Sequence, residues 1–321
     1  MMKARNILCV LALIVCAGMA HAQSMGDQPL RLVVPYGPGG TSDMVARSLQ
    51  QPLQERVGRR VLVENKPGAT GSIAAHAVAT AAPDGNVLLV PNSGNTLAPL
   101  LQERQPFDYR KSFAPVSQVA TAPMVMVVSP DLPVSNVAEF IAYVKANPGK
   151  VNYGAPGVGS FGHLAAELLQ QKAGIQLYFV PYQNGTQVNL ALSTGEVKMT
   201  ITSLPDGRTA MGLNKGVRAL AITSLQATPL LEGVPAMSET LPDFFVEQYF
   251  GLLAPAGTPA KIVQSLAEAV KVSLADEAVR KQYLGLGLLP VSSTSDGLAA
   301  IMKADYDRWE PIISALGLKK N

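Results

Sequence analysis

The chain has 321 residues and a formal net charge of +3, with no polybasic run, which excludes a nucleic-acid binder. Hydrophobic residues make up 48% of it, enough to fill the cores of one large or two modest domains. Lys3 and Arg5 precede an apolar run over 7–19, and Ala20-His21-Ala22 supplies a small-x-small cleavage pattern before Gln23. Residues 1–22 therefore read as a secretory signal peptide. Both cysteines, Cys9 and Cys16, lie inside it, and neither follows the small residue that a lipoprotein processing site requires. The mature chain is then cysteine-free, with a net charge of +1 once Lys3 and Arg5 are gone. Disulfides, thiolate metal sites and cysteine nucleophiles are excluded. No later stretch reaches the ~18 to 20 apolar residues of a membrane span, so the expectation is a soluble, monomeric periplasmic protein.

In chain order, "LRLVVP" (30–35) reads as a buried strand. A helix follows with Val45, Leu49 and Leu53 on one face, and "RVLVEN" (60–65) as a second strand completes a βαβ unit. Pro52 is expected to kink or shorten that helix. "IAAHAVATAAPDG" reads as an alanine-rich helix stopped by a Pro-Asp-Gly turn, and "NVLLVP" (86–91) as a strand. A second series starts with "APMVMVVSP" (122–130). It continues with the helix "SNVAEFIAYVKANPGK", the short strand "VNYGA", a helix carrying Phe161, Leu164, Leu168 and Leu169 on one face, and the strand "IQLYFVPY". "VNLALSTGEV", "KMTITSLP" and "VRALAITS" extend this series. The order strand, glycine-rich turn, helix, strand occurs at 30–68 and again at 151–185, a weak internal echo. The chain then runs through the strand in "GLLAPAGTP", a Thr258-Pro259 helix start with Ile262, Leu266, Val270 and Leu274 in line, and C-terminal helices in "GLAAIMKADYDRWEPIISALG". Two α/β lobes joined by extended crossings near 119–129 and 218–224 explain this order, one lobe taking 23–123 and 223–321 and the other 124–222. That is a hinged clamp.

Gly157, Gly159 and Gly162 have the G-x-G-x-x-G spacing of a dinucleotide loop. Such a site needs a carboxylate ~20 residues on, at the end of the next strand, to hold the ribose. That strand, "IQLYFVPYQNG", has none. NAD is rejected, and no cofactor is expected. What remains is anion capture, because a helix N-terminus offers unsatisfied N–H groups and about half a positive charge. Ser160 would cap its helix, and His163 stands where a capping box has Glu or Gln, leaving the positive end to a ligand.

Seven segments, "VVPYGPGGTSD", "VENKPGATGSIAAHAVATAAPDG", "VNYGAPGVGSFGHLAAELL", "VPYQNGTQVNLALSTGEV", "LPDG", "VRALAITS" and "GLLAPAGTP", resemble in order the landmarks of the solute receptors of tripartite tricarboxylate transporters, the Bug receptors. The resemblance covers essentially the whole mature chain. It implies an α/β, two-lobe periplasmic binding protein, type II-like, a Venus flytrap with two hinge crossings. It also implies capture of a small organic acid for a membrane permease of that transporter type. The first loop departs from the family's usual pair of prolines with Gly37-Pro38-Gly39-Gly40, which bears on the substrate and not on the fold.

In that loop Gly39 and Gly40 allow close backbone approach, Thr41 can cap the helix, and Asp43 already puts a carboxylate in its first turn. Tyr36 is a candidate wall of the pocket. Further ligand-binding candidates lie in turns at strand ends: Ser93 and Asn95, Gly157 and Ser160, Thr186, and Ser203 and Asp206. No catalytic or metal residue is expected. The G-x-S-x-G elbow is missed at Val158, and only His76 and His163 remain beyond the signal peptide. An exported hydrolase is the weakest alternative, and a receptor signalling to a membrane sensor shares the same ligand site.

Overall fold

The computed structural model describes residues 28–101 and 107–318; residues 1–22, read above as a signal peptide, and both cysteines among them lie outside the described residues. Strand β1 (Leu30–Val34) leads through the first glycine loop into α1 (Thr41–Val57), which returns to β2 (Val61–Asn65), parallel to β1. The face of α1 marked by Val45, Leu49 and Leu53 packs on Leu30, Leu32 and Val34 of β1. The helix runs past Pro52 to Val57 instead of stopping there. Leu49 and Leu53 are fully buried on either side of the proline, and that burial outweighs one missing backbone hydrogen bond. Helix α2 (Ser72–Ala79) and β3 (Val87–Leu89), the other parallel neighbour of β1, complete the unit before the short helices α3 (Ser93–Thr96) and α4 (Ala98–Leu101).

The sequence suggested a strand beginning at Ala122, but β4 is one 16-residue strand, Phe113–Val128. Its first part pairs antiparallel with β9 (Glu247–Pro255), from Phe113 opposite Pro255 to Pro123 opposite Glu247. From Met124 onward it pairs with β7 (Met199–Ser203) on one side and β8 (Arg218–Ile222) on the other. The prolines sit where the ladder can spare a donor: Pro115 adjoins a register shift, and Pro123 is the last residue of the β9 pairing. Side chains alternate across β4. Met124, Met126 and Val128 enter one core of the second lobe, and Val125 and Val127 enter another.

The second lobe continues through α5 (Val137–Ala146), β5 (Asn152–Ala155), α6 (Phe161–Ala173), β6 (Tyr178–Pro181), α7 (Gly185–Thr194), β7 and α8 (Leu204–Leu213). Strands β5, β6 and β7 are parallel. After β9 come α9 (Ala260–Ala275), α10 (Glu277–Leu286), the short β10 (Leu289–Pro290) beside β4, and α11 (Ser295–Ala315). Ile262, Leu266, Val270 and Leu274 of α9 join the core under α1. The C-terminal stretch is a single helix that passes through Pro311. Leu298 near its start packs in the first lobe, whereas Trp309 and Ile313 lie in the core of the second, with Trp309 edge-on to Phe161 at 5.4 Å. Helix α11 thus ties the lobes together beside the strand crossings. No described helix is long and apolar enough to cross a membrane.

Candidate ligand-binding cleft

The N-terminal ends of four helices meet at a cleft between the lobes: Gly40 and Thr41 before and at the start of α1, Ser160 to Gly162 at α6, Asn184 and Gly185 at α7, Ser203 and Asp206 at α8. No lysine, arginine or histidine is among the described lining residues; the titratable groups there are the Asp206 carboxyl and the Tyr36 phenol. Positive potential in this cleft therefore comes from unsatisfied backbone N–H groups. The lobes touch across it. Thr41 Oγ1 lies 2.5 Å from Ser203 Oγ, and Thr70 Oγ1 donates to the Val158 carbonyl at 3.2 Å. Gly94 of α3 approaches α6 so closely that a side chain there would begin 2.9 Å from the Phe161 nitrogen.

At α6, Ser160 is the N-cap; its Oγ accepts from the His163 amide at 3.4 Å. His163 Nδ1 accepts from the Gly159 amide at 3.1 Å, so the ring proton is on Nε2, facing Glu167 3.9 Å away. Burial holds this imidazole below its usual range, against the pull of Glu167. The sequence reading left the helix end entirely open, but His163 occupies the Gly159 amide without bringing a negative charge. The amides of Phe161 and Gly162 donate to no described residue, and both residues line the cleft. The spacing of the glycines also has a packing cause, because a side chain at Gly162 would begin 2.5 Å from the Ile201 carbonyl oxygen of β7. The imidazole is engaged with Gly159 and Ser160 with a backbone amide, so the pair does not form a nucleophile and base.

The start of α1 is arranged differently. Asp43 is buried and accepts from the Gly39 amide at 3.0 Å, Arg47 Nε at 2.8 Å and Asn65 Nδ2 at 3.0 Å. Burial pushes its pKa up, but these hydrogen bonds and the Arg47 charge outweigh burial and hold it below the usual range. Asp43 fixes the loop and does not line the cleft. Asp206, from the opposite lobe, presents Oδ2 to Thr41 Oγ1 and to Ser203 Oγ, each at 2.9 Å. Burial raises its pKa; hydrogen bonds from Thr41 and Ser203 oppose the rise, and no cation does.

Of the residues singled out from sequence, Tyr36, Gly40, Thr41, Ser160, Ser203 and Asp206 meet in the cleft. Gly39, Asp43, Ser93, Asn95, Gly157 and Thr186 stand outside its lining. Ser93 Oγ accepts from the Tyr249 amide at 3.0 Å. Asn95 shares a capping box with Asn92 and donates to the Tyr36 hydroxyl at 3.1 Å, so it positions a wall without touching the interior. Burial pushes the Tyr36 phenol up to about 12. Gly157 lies near Thr70, and Gly39 near the exposed Thr186, in both cases across the lobes. Sequence reasoning missed Asn92, Asn184, Thr202 and Gln248, which do line the cleft. Asn92 and Asn184 are N-caps, and an asparagine just before a helix start was the available signal for both.

The family model described as tripartite tricarboxylate transporter family receptor matches residues 45–318. BugT of Bordetella pertussis is 32% identical over 326 residues, covering 99% of this chain and 99% of BugT. Among solved structures, the periplasmic binding protein BugD superimposes with a TM-score of 0.86 at 31% identity, over 92% of this chain and 100% of BugD. An R. palustris protein solved with adipate gives 0.87 at 30% identity, over 90% and 97%. MatC of Rhodopseudomonas palustris with bound malate gives 0.84 at 30% identity, over 89% and 99%. The α/β architecture is thus that of two-lobe periplasmic binding proteins, and the chain belongs to the tripartite tricarboxylate transporter family of receptors, a periplasmic solute-binding protein and not an enzyme.

Proposed function

We propose that this receptor captures a small organic carboxylate between its lobes and delivers it to the membrane permease subunits of a tripartite tricarboxylate transporter. The observation that carries this is the start of α6, where the amides of Phe161 and Gly162, which donate to no described residue, open into a cleft with no cationic side chain among its described lining residues. A carboxylate satisfies both donors and meets the positive end of a 13-residue helix. Adipate and malate in the similar structures support the ligand class. Residues 1–22 direct export to the periplasm, where the protein works as a monomer. The first lobe comprises 23–123 and 223–321 and the second 124–222, with closure by bending at 119–129 and 218–224.

A thermal-shift screen over mono-, di- and tricarboxylates, followed by solution scattering, tests this. At least one acid should raise the melting temperature, and its saturation should shrink the radius of gyration. No response to any acid, with binding of a neutral or cationic solute instead, would sink the carboxylate reading.

A further inference from the structure

Three elements join the lobes, β4, β9 and α11, and a second cavity lies among them, lined by Gln118 and Thr121, Glu247 and Tyr249, and Asp305 and Arg308. Gln248 faces the ligand cleft, so its neighbours on β9 face the other side of the strand, behind the crossing. Bending of the lobes has to pass through this place. Strand β4 leaves β9 for β7 and β8 between Pro123 and Val125, and Thr121 is the register partner of Tyr249. Along α11, Met302 packs on a core of the first lobe and Tyr306 on one of the second, so Asp305 stands at the passage between them.

A charged carboxylate is poorly matched to that position. Asp305 Oδ2 is buried and accepts no hydrogen bond from a described residue, and Trp309 Nε1, which faces it, is also without a partner. Arg308 brings a positive charge, but its guanidinium donates to the Phe245 carbonyl and lies 4.8 Å over the Phe245 ring. Burial pushes the Asp305 carboxyl up to about 7, against the Arg308 charge and the Trp309 indole. From β9, Glu247 is raised by burial as well, and the Tyr249 phenol, bonded to Thr96, is raised further still. Strand β4 presents only the neutral Gln118 and Thr121.

We propose that Asp305 is a proton-operated switch in the hinge, whose neutral form holds the lobes closed and whose ionised form drives them apart. Swinging the lobes open shifts the second half of α11 against β4 and β9 and admits water to the cavity, which returns the carboxyl toward its ordinary value, about 4. Closing therefore takes up a proton, and acid favours the closed form. With a closed value of about 7, the closed-to-open ratio rises about tenfold from pH 8 to pH 6. This inference rests on the lobe closure proposed above and not on the class of ligand.

Solution scattering from the ligand-free mature chain at pH 8 and pH 6 decides it, together with the emission of Trp309, the single tryptophan, followed over the same range. The radius of gyration should fall as the pH drops, and the emission should titrate with a midpoint of about 7. Asp305→Asn, neutral at every pH, should be as compact at pH 8 as wild type is at pH 6, whereas Glu247→Gln should keep the wild-type shift. Should the asparagine variant fold poorly, the Trp309 titration in wild type decides alone. Equal wild-type radii at the two pH values, emission that does not titrate between them, a shift that survives Asp305→Asn, or one lost in Glu247→Gln would overturn the switch. Closure on adding malate or adipate with none on acidification leaves the receptor reading standing without the switch; no closure under either condition removes both.

Discussion

Two glycine-rich turns open two helices onto one cleft, and they handle the same positive charge in opposite ways. At α1 the helix end is filled from within: Asp43 takes the Gly39 amide, and Asp206 reaches across from the other lobe to Thr41. At α6 the only internal partners among the described residues are a hydroxyl and a neutral imidazole, and the amides of Phe161 and Gly162 donate to no described residue. The glycine pattern alone does not make an anion site. Whether a carboxylate from the chain already sits there decides whether one from a ligand can.

Substitutions at the two turns should separate these roles, and the largest effect is expected at Gly162. An alanine there must push α6 off β7, since its side chain would meet the Ile201 carbonyl, and should cost ~3 kcal/mol of stability in chemical denaturation. Ser160→Asp comes next. Asp is a good N-cap, so the apo protein should unfold at nearly the wild-type temperature, while a fixed charge stands where the proposed ligand carboxylate would sit. Ligand at 100 times its dissociation constant stabilises wild type by ~2.7 kcal/mol; that gain should vanish in the variant. A full ligand-induced shift in Ser160→Asp would erase the distinction between the two turns.

At α1 the expected effects are smaller. Because Asp43 has a lowered pKa in the folded state, its contribution is present above the unfolded value, near 4, and is lost as pH falls through the folded one. Asp43→Asn should therefore cost ~1 kcal/mol at pH 7, the exposed Arg47 partner being screened by solvent, and almost nothing at pH 3. Denaturation at the two pH values checks this, and an equal cost at both would mean that the charge is not what holds the loop. Gly40, the N-cap of α1, offers no side-chain cap, and a side chain there would begin no nearer than 3.9 Å from the Gly37 carbonyl. Gly40→Ser should then stabilise by a few tenths of a kcal/mol, measurable as a small rise in melting temperature.

Much of the fold was legible because its signals are local. The α1 and α9 faces, the Pro-Asp-Gly stop and the Ser160 cap depend on spacing and turn chemistry within one or two turns of chain. The length of β4 was not legible: the sequence placed its start at Ala122, whereas the stretch from Phe113 to Ala120 is a strand because it pairs with the distant β9. Pro52, expected to kink or shorten its helix, lies inside α1, which continues past it to Val57. In the cleft, residues at the first turns of helices, such as Thr41, Ser160 and Asp206, could be picked out one by one. Gln248 and Thr202 could not, since each lies on a strand and reaches the cleft only through tertiary pairing.

Strand β4 also sets the order in which the molecule can assemble. Phe113 pairs with Pro255, and between them lie all the strands of the second lobe, whose buried core receives only Trp309 and Ile313 of α11 from later chain among the described elements. The parallel trio β1, β2 and β3 can associate early from nearby chain, but its sheet gains β9 only after that intervening stretch has been synthesised and brought back. Loop closure over such a span is slow unless the insert has already compacted. The second lobe should therefore gain protection from hydrogen exchange before the β4–β9 pairing does, making its own collapse the step that lets the rest of the receptor finish folding.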